Sequence, residues 1–143
     1  MSEPFHRTET GIAVDLPKPI RLWVAENAAA AATDAVVLGN PVHRRLLGPI
    51  DPTSDHDDPL TELQRQFAVE GSLGVLVKTA DARELSEDEA EEWIRGLQLI
   101  LAATAARLSI FDEDDVADLD ESDGQTVMTI QALISLMIDA LDS

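Results

Sequence analysis

The stretch that most constrains this chain begins at Ser86 and has the pattern of a long helix with one apolar face. Ser86 is followed three residues later by Glu89, the pair that forms a capping box at a helix start. The acidic residues Glu87–Glu89 also place negative charge at the positive end of the helix dipole. Apolar residues then recur at steps of three and four to Leu108, which predicts a central core helix over residues 86–108.

Three more segments show apolar residues at helical spacing, so the sequence predicts a mainly α fold, a four-helix bundle-like domain formed by all 143 residues. We expect Asp15 to cap the first helix and either Asp57 or Asp58 to cap the second. Ser122 and Gln125 have the spacing of a second capping box. The predicted helices span residues 16–38, 58–83, 86–108 and 122–142.

The second predicted helix contains an ambiguous interruption at Gly71 and Gly74. The glycines could end the helix and leave Val75–Lys78 as a strand. Alternatively, the helix could continue to about residue 83, with the small residues three apart allowing a close helix crossing. We favour the continuous helix, because little else in the sequence supplies a sheet.

The N-terminal residues 1–11 are polar, and we expect them to be loose at the start of the chain. Ile12–Val14 could form a short strand paired with Phe5–Thr8 through a turn at Thr10 and Gly11. An isolated hairpin is only marginally stable, so it would have to lie on the helices.

The predicted core is aliphatic, since aromatic residues make up only 3% of the chain. The alanine run Ala28–Ala32 would let another helix approach closely, either within the chain or across a homodimer seam. The last helix carries little polar surface, which favours a central place in the bundle or burial in a subunit interface. The predicted core residues are Trp23, Leu63, Phe67, Trp93, Leu97, Leu101, Ile130, Ile134 and Met137.

Charge and cysteine content exclude several classes of function. The net charge is −18, and from Glu84 onward there are 16 acidic and 2 basic residues, so direct binding to DNA is disfavoured. The absence of cysteine excludes disulfides and thiolate catalysis. The N-terminus does not resemble a signal peptide, and the apolar-rich stretch Val127–Leu141 is shorter than the roughly 20 residues of a membrane span. We therefore expect a cytoplasmic protein without a membrane segment.

The sequence predicts a loop over residues 109–121. The overlapping run from Asp112 to Asp123 contains eight acidic and no basic residues. A calcium loop of the EF-hand type that starts at Asp112 would have Val116 at a ligand position and Ala117 at the glycine position. One that starts at Asp118 would have Asp123 at the glycine position, so neither start fits. The favoured interpretation is a solvated acidic loop or a docking surface for a basic protein.

No constellation of residues predicts catalysis or a cofactor. Asp55, His56 and Asp57 could supply metal ligands, but turn and capping roles explain the aspartates equally well. His6 and His43 are each isolated in the sequence, without a nucleophile and an orienting group nearby. We therefore expect no enzyme activity, no metal and no cofactor.

The order of segments resembles the actinobacterial family of AosR-like oxidative-stress regulators of transcription, long described as a domain of unknown function. The apolar C-terminal helix completes the likeness, which covers the chain from about residue 12. The segments that carry the resemblance are His43–Leu47, Asp57–Pro59, Leu85–Trp93, Ala105–Leu108 and Asp112–Asp123.

The resemblance implies a regulator that acts with a stress sigma factor or RNA polymerase through protein contacts. Regulators of the family use a Cys-x-x-x-Cys thiol switch, which cannot carry over to a chain without cysteine. An alternative, suggested by neighbouring genes in the family, is an interaction module of the Clp protease and adaptor pathway; an unassigned helical homodimer is another. The expected partner-binding residues are Arg44, Arg45, Asp112, Glu113, Asp114, Asp115, Asp118 and Asp120.

Overall fold

The computed structural model describes residues 3–48, 58–110 and 112–143, and within them the fold is mainly α. Four long helices form a bundle, as predicted, and two short helices and a small antiparallel sheet accompany them. The helices are α1 (Lys18–Ala35), α2 (Pro41–Leu47), α3 (Pro59–Thr79), α4 (Glu87–Arg107), α5 (Glu113–Ala117) and α6 (Glu121–Leu141). The strands are β1 (Phe5–Arg7), β2 (Ile12–Val14) and β3 (Glu84–Leu85).

Helix α4 is the centre of the bundle and packs against α1, α2, α3 and α6. Both halves of its capping box form: the Glu89 amide donates to Ser86 Oγ over 3.1 Å, and the Ser86 amide donates to the Glu89 carboxylate over 2.9 Å. Trp93, Leu97 and Ile100 are completely buried. The prediction of a central core helix over residues 86–108 is therefore confirmed.

Helix α3 crosses α4 at Gly96. A Cβ atom at Gly96 would lie 2.5 Å from Leu76 Cδ1 and 3.1 Å from the Ser72 carbonyl oxygen, so only glycine allows this approach. Helix α3 runs unbroken through Gly71 and Gly74, and the alternative strand over residues 75–78 is wrong. The close crossing was nevertheless predicted at the wrong glycines, because a Cβ at Gly71 or Gly74 would meet nothing within 4 Å.

A chain of hydrogen bonds joins the two helices beside this crossing. Trp93 Nε1 donates to Thr79 Oγ1 over 2.7 Å, and the Thr79 hydroxyl donates to the Val75 carbonyl oxygen over 2.6 Å. The Trp93 ring also meets Phe5 edge to face, with 6.0 Å between ring centroids. The indole N–H, a polar group that is costly to bury alone, is thereby satisfied.

The sheet lies on the helices, as the marginal stability of a lone hairpin requires. Phe5 pairs with Val14 and Arg7 with Ile12, which confirms the predicted hairpin and shows that residues 5–7 belong to the fold. A third strand, β3, was not predicted; Leu85 pairs with Ile12 and both are buried. Two residues are too few to show an alternating pattern in the sequence.

Arg21 joins the sheet, α1 and the end of α3 through one guanidinium. Its nitrogens donate to the carbonyl oxygens of Leu16 and Val14 over 2.9 Å each. They also donate to the carbonyl oxygens of Ala80 over 3.0 Å and Ala82 over 2.7 Å. The segment that leads from α3 to β3 is therefore tied to the N-terminal hairpin by a half-buried cation.

Seven of the nine predicted core residues are buried or half-buried, and the two errors both lie on α3. Leu63 is 47% exposed and Phe67 is 62% exposed, so both predictions are wrong. Helix α3 instead buries Val69, Leu73 and Leu76, which occupy the opposite side of the helix. Trp93, Leu97, Ile130 and Met137 are buried, and Trp23, Leu101 and Ile134 pack against the core while half-buried.

The predicted cap of the first helix is wrong, and the predicted cap of the second helix is confirmed. Pro17, not Asp15, precedes α1, because the Asp15 amide donates to the Pro4 carbonyl oxygen in an extension of the sheet. Asp58 caps α3; the Thr61 hydroxyl and amide donate to its carboxylate and lower the pKa of Asp58. The cap therefore stabilises the fold fully at a pH above the pKa that Asp58 has in the unfolded chain. This stabilisation is lost as the pH falls through the lower pKa that Asp58 has in the folded protein.

Helix α6 lies at the side of the bundle and not in its centre. It buries one stripe against α4 and β1, which includes Ile130 and Met137, while Met128 is 68% exposed. A central position for the last helix is therefore wrong. In α1, by contrast, Ala28 and Ala31 are buried within the chain, as expected for ordinary helix packing.

Leu97→Ala is expected to lower the free energy of unfolding by about 2–5 kcal/mol, because truncating a buried leucine leaves a cavity. Leu63→Ala is the matched control and should change it by less than about 0.5 kcal/mol, since Leu63 lies at the surface. Urea unfolding followed by tryptophan fluorescence measures both values. Equal effects of the two substitutions would contradict the observed orientation of α3, in which Leu63 faces away from the core.

Arg21→Lys is expected to cost about 2–3 kcal/mol, since one ammonium group cannot reproduce four divergent hydrogen bonds to carbonyl oxygens. Arg44→Lys, at an exposed position on α2, should be neutral within about 0.5 kcal/mol. Thermal unfolding of the two variants distinguishes them. A neutral Arg21→Lys would mean that the guanidinium does not stabilise the sheet.

Candidate protein-interaction surface

The acidic run between Asp112 and Asp123 is folded and contains the one-turn helix α5, where a loop was predicted. Asp112 caps α5: its carboxylate accepts the Asp115 amide over 3.0 Å, and the Asp115 carboxylate accepts the Asp112 amide over 3.3 Å. Two aspartates therefore form a capping box, with Asp115 in the place where Glu or Gln is usual. Both are predicted partner-binding residues with a local structural role.

A third acidic residue of the predicted site also caps a helix. The Asp120 carboxylate accepts the Asp123 amide over 2.8 Å at the start of α6. The predicted capping box at Ser122 and Gln125 is therefore wrong, because an aspartate two residues earlier already caps this helix. Asp114 and Asp118 are exposed and make no cap through their side chains, so they carry the charge that this surface offers to solvent.

The structure brings the predicted basic turn next to the start of the acidic run. Arg45, in the last turn of α2, donates from Nη2 to the Ile110 carbonyl oxygen over 3.2 Å. Arg44 is exposed beside it. We use the name Arg45–acidic surface for the eight predicted partner-binding residues, of which this hydrogen bond ties Arg45 to the backbone just before the acidic run: Arg44, Arg45, Asp112, Glu113, Asp114, Asp115, Asp118 and Asp120.

Sequence reasoning missed a second surface, which is the outward side of α3. Two of its apolar members, Leu63 and Phe67, are among the predicted core residues, yet Phe67 is more exposed than it is buried. The signal that could have revealed this is a competing apolar stripe on the same helix, formed by Val69, Leu73 and Leu76. We call the exposed side the α3 outer face: Leu60, Leu63, Phe67, Glu70, Gly71, Gly74, Val77 and Lys78.

A shallow groove of about 470 Å³ borders the α3 outer face and runs between α3 and α4. Phe67 and Val75 line it on one side and Glu92 and Arg95 on the other. Ser72 Oγ donates to the Glu92 carboxylate over 2.6 Å across its floor, and Glu92 also pairs with Arg95. These polar groups therefore satisfy one another within the chain.

The described residues contain no cluster of side chains that could hold a metal ion. Within residues 3–48, 58–110 and 112–143, no three His, Asp or Glu side chains converge as a metal site requires. His43 lies with Nδ1 2.6 Å from the Ala35 carbonyl oxygen, at the end of α1, and serves packing there. The metal candidates Asp55, His56 and Asp57 lie outside the described residues.

Helix α6 is long and apolar enough, by length and composition alone, to cross a membrane, with a mean hydropathy of 1.3 over its most apolar window. The core helix of a globular protein meets the same criterion. Five residues of the helix are buried in the bundle, and Asp139 lies within its last turns.

The chain matches no protein-family model, no curated protein and no solved structure.

Asp120→Ala is expected to destabilise the protein by about 1 kcal/mol, because it removes an N-cap that satisfies a backbone N–H of α6. Asp118→Ala removes the same charge from the same surface without removing a cap, and should have less than half that effect. Chemical unfolding of both variants makes the comparison. A larger loss for Asp118→Ala would show that charge, and not capping, governs this region.

Proposed function

We propose that this protein is a regulator that acts through protein contacts and that its Arg45–acidic surface recognises a basic surface on a sigma factor or RNA polymerase. The observation that carries the proposal is the density of acidic side chains between Asp112 and Asp123, with Asp114 and Asp118 directed to solvent. The resemblance to AosR-like regulators supplies the class of partner, and no catalytic step enters the proposal.

The distribution of the basic residues supports a basic partner. Several arginines bind groups of their own chain: Arg21 and Arg65 donate to backbone carbonyl oxygens, and Arg7 and Arg107 pair with Glu87 and Asp34. The acidic run contains no basic residue that could neutralise it. A negative surface of this kind attracts basic partners over several ångströms and repels nucleic acid.

The folding of the acidic run into a capped turn supports specific recognition. Because Asp112 and Asp115 hold the backbone of α5, the carboxylates of Asp114 and Asp118 are displayed from fixed backbone positions. Fixed charges recognise a complementary pattern at a lower entropic cost than those of a flexible loop. Arg44, exposed at the border, would favour a partner that carries a carboxylate beside its basic residues.

The test is affinity capture from a lysate of the native host, with the wild-type protein and an Asp114→Asn/Asp118→Asn variant compared by quantitative mass spectrometry. We expect wild type to recover sigma factor or polymerase subunits, and the variant to recover them several-fold less. Glu26→Gln/Asp81→Asn removes the same charge from exposed positions elsewhere and serves as the control. Higher salt should weaken a contact between exposed charges.

The outcomes separate the candidate functions. Loss of polymerase recovery in the Asp114→Asn/Asp118→Asn variant but not in the control supports the proposal and locates the contact. Equal loss in both variants would mean that net charge alone is responsible. Recovery of Clp components in place of polymerase would overturn the proposal in favour of a role in proteolysis.

A further inference from the structure

We infer that the α3 outer face pairs with the same face of a second copy of this chain, with the two α3 helices antiparallel and crossing at Gly74. This inference concerns self-association and does not depend on the proposed function. It rests on the exposed apolar side chains of α3, on the charge of this helix and on the match between the two halves of the face.

The face is apolar and uncovered. Phe67 is 62% exposed, Leu60 is 63% exposed and Val77 is 47% exposed, although all lie on one side of a single helix. Soluble chains usually cover an apolar stripe of this length, and an uncovered one marks a contact site. The helix is held firmly from behind by its crossing with α4 at Gly96, so the face is a rigid surface.

The charge of α3 permits a second copy of a strongly acidic protein to approach. Helix α3 carries Glu62, Arg65, Glu70 and Lys78 and is therefore neutral, whereas the whole chain has a net charge of −18. The central helix α4 begins with a cluster of acidic residues that would repel itself. Self-association through α3 avoids that repulsion.

Charge complementarity selects both the direction and the crossing point. When two α3 helices are antiparallel about Gly74, Glu70 of each copy comes to the same height as Lys78 of the other, about 6 Å along the axis from the crossing. Two reciprocal ion pairs result. A crossing at Glu70 would instead place the two Glu70 carboxylates against each other.

The shape of the face fits the same arrangement. Antiparallel pairing about Gly74 puts Val77 of one copy level with Gly71 of the other, so a branched side chain meets a position with no side chain. A Cβ at either glycine would meet nothing in its own chain, so both are open to an incoming helix. Phe67 then lies about 10 Å from the crossing and covers the end of the second α3. Such a two-fold contact closes on itself, and the assembly stops at a dimer.

The first test is Gly74→Leu, measured by sedimentation velocity over an about hundredfold range of protein concentration. We expect the wild type to dimerise weakly, because one helix face is a small interface, and the variant to stay monomeric. The leucine has open space in the monomer and a better helix propensity than glycine, so the variant should unfold at a higher temperature. Dimer loss therefore cannot be confused with misfolding.

Gly124→Leu is the matched control, because Gly124 lies in the first turn of α6 and is equally open. It should dimerise as the wild type does. Glu70→Lys should weaken dimerisation by about tenfold or more, and Glu70→Lys/Lys78→Glu should restore it, since the double exchange re-forms both ion pairs. A wild type that is monomeric throughout the concentration range, dimerisation unaffected by Gly74→Leu, or failure of the double exchange would each overturn the inference.

Discussion

The bundle depends on the close crossing of α3 and α4 at Gly96. With no side chain at that position, Leu76 and the backbone at Ser72 reach the surface of α4 directly. The same approach places Thr79 where its hydroxyl can accept the buried indole N–H of Trp93. A Cβ atom at position 96 would lie within 3.1 Å of Leu76 and of the Ser72 carbonyl oxygen, so a larger residue there would force this contact to rearrange. The packing and the hydrogen bonding of the centre thus follow from one contact.

The long helices could be predicted because their signals were strong and local, whereas the orientation of α3 could not. The capping box at Ser86 fixes the start of α4 without reference to the rest of the chain. Helix α3 carries two apolar stripes, one with Leu63 and Phe67 and one with Leu73 and Leu76, and periodicity alone does not tell which stripe faces inward. The decision comes from Gly96 on another helix, which is a tertiary effect.

The roles of the residues in the predicted interaction surface could likewise be predicted only in part. The sequence locates the acidic run, but an aspartate that caps a helix and one that faces a partner look alike in it. Three of the predicted aspartates prove to be caps, and Arg45 proves to hold the backbone at Ile110. What the sequence could not supply is the proximity of α2 to this run, since residues 45 and 110 meet only through packing around α4.

The guanidinium of Arg21 has a consequence for how such a sequence can change over evolutionary time. Four carbonyl oxygens from two distant stretches of the chain converge on it, and no other side chain presents as many donors in one plane. Exposed acidic residues that cap no helix can exchange for one another, or shift along the chain, with little effect on folding. Position 21 has no such freedom. Divergence can therefore erase the recognisable surface while it preserves this one cation.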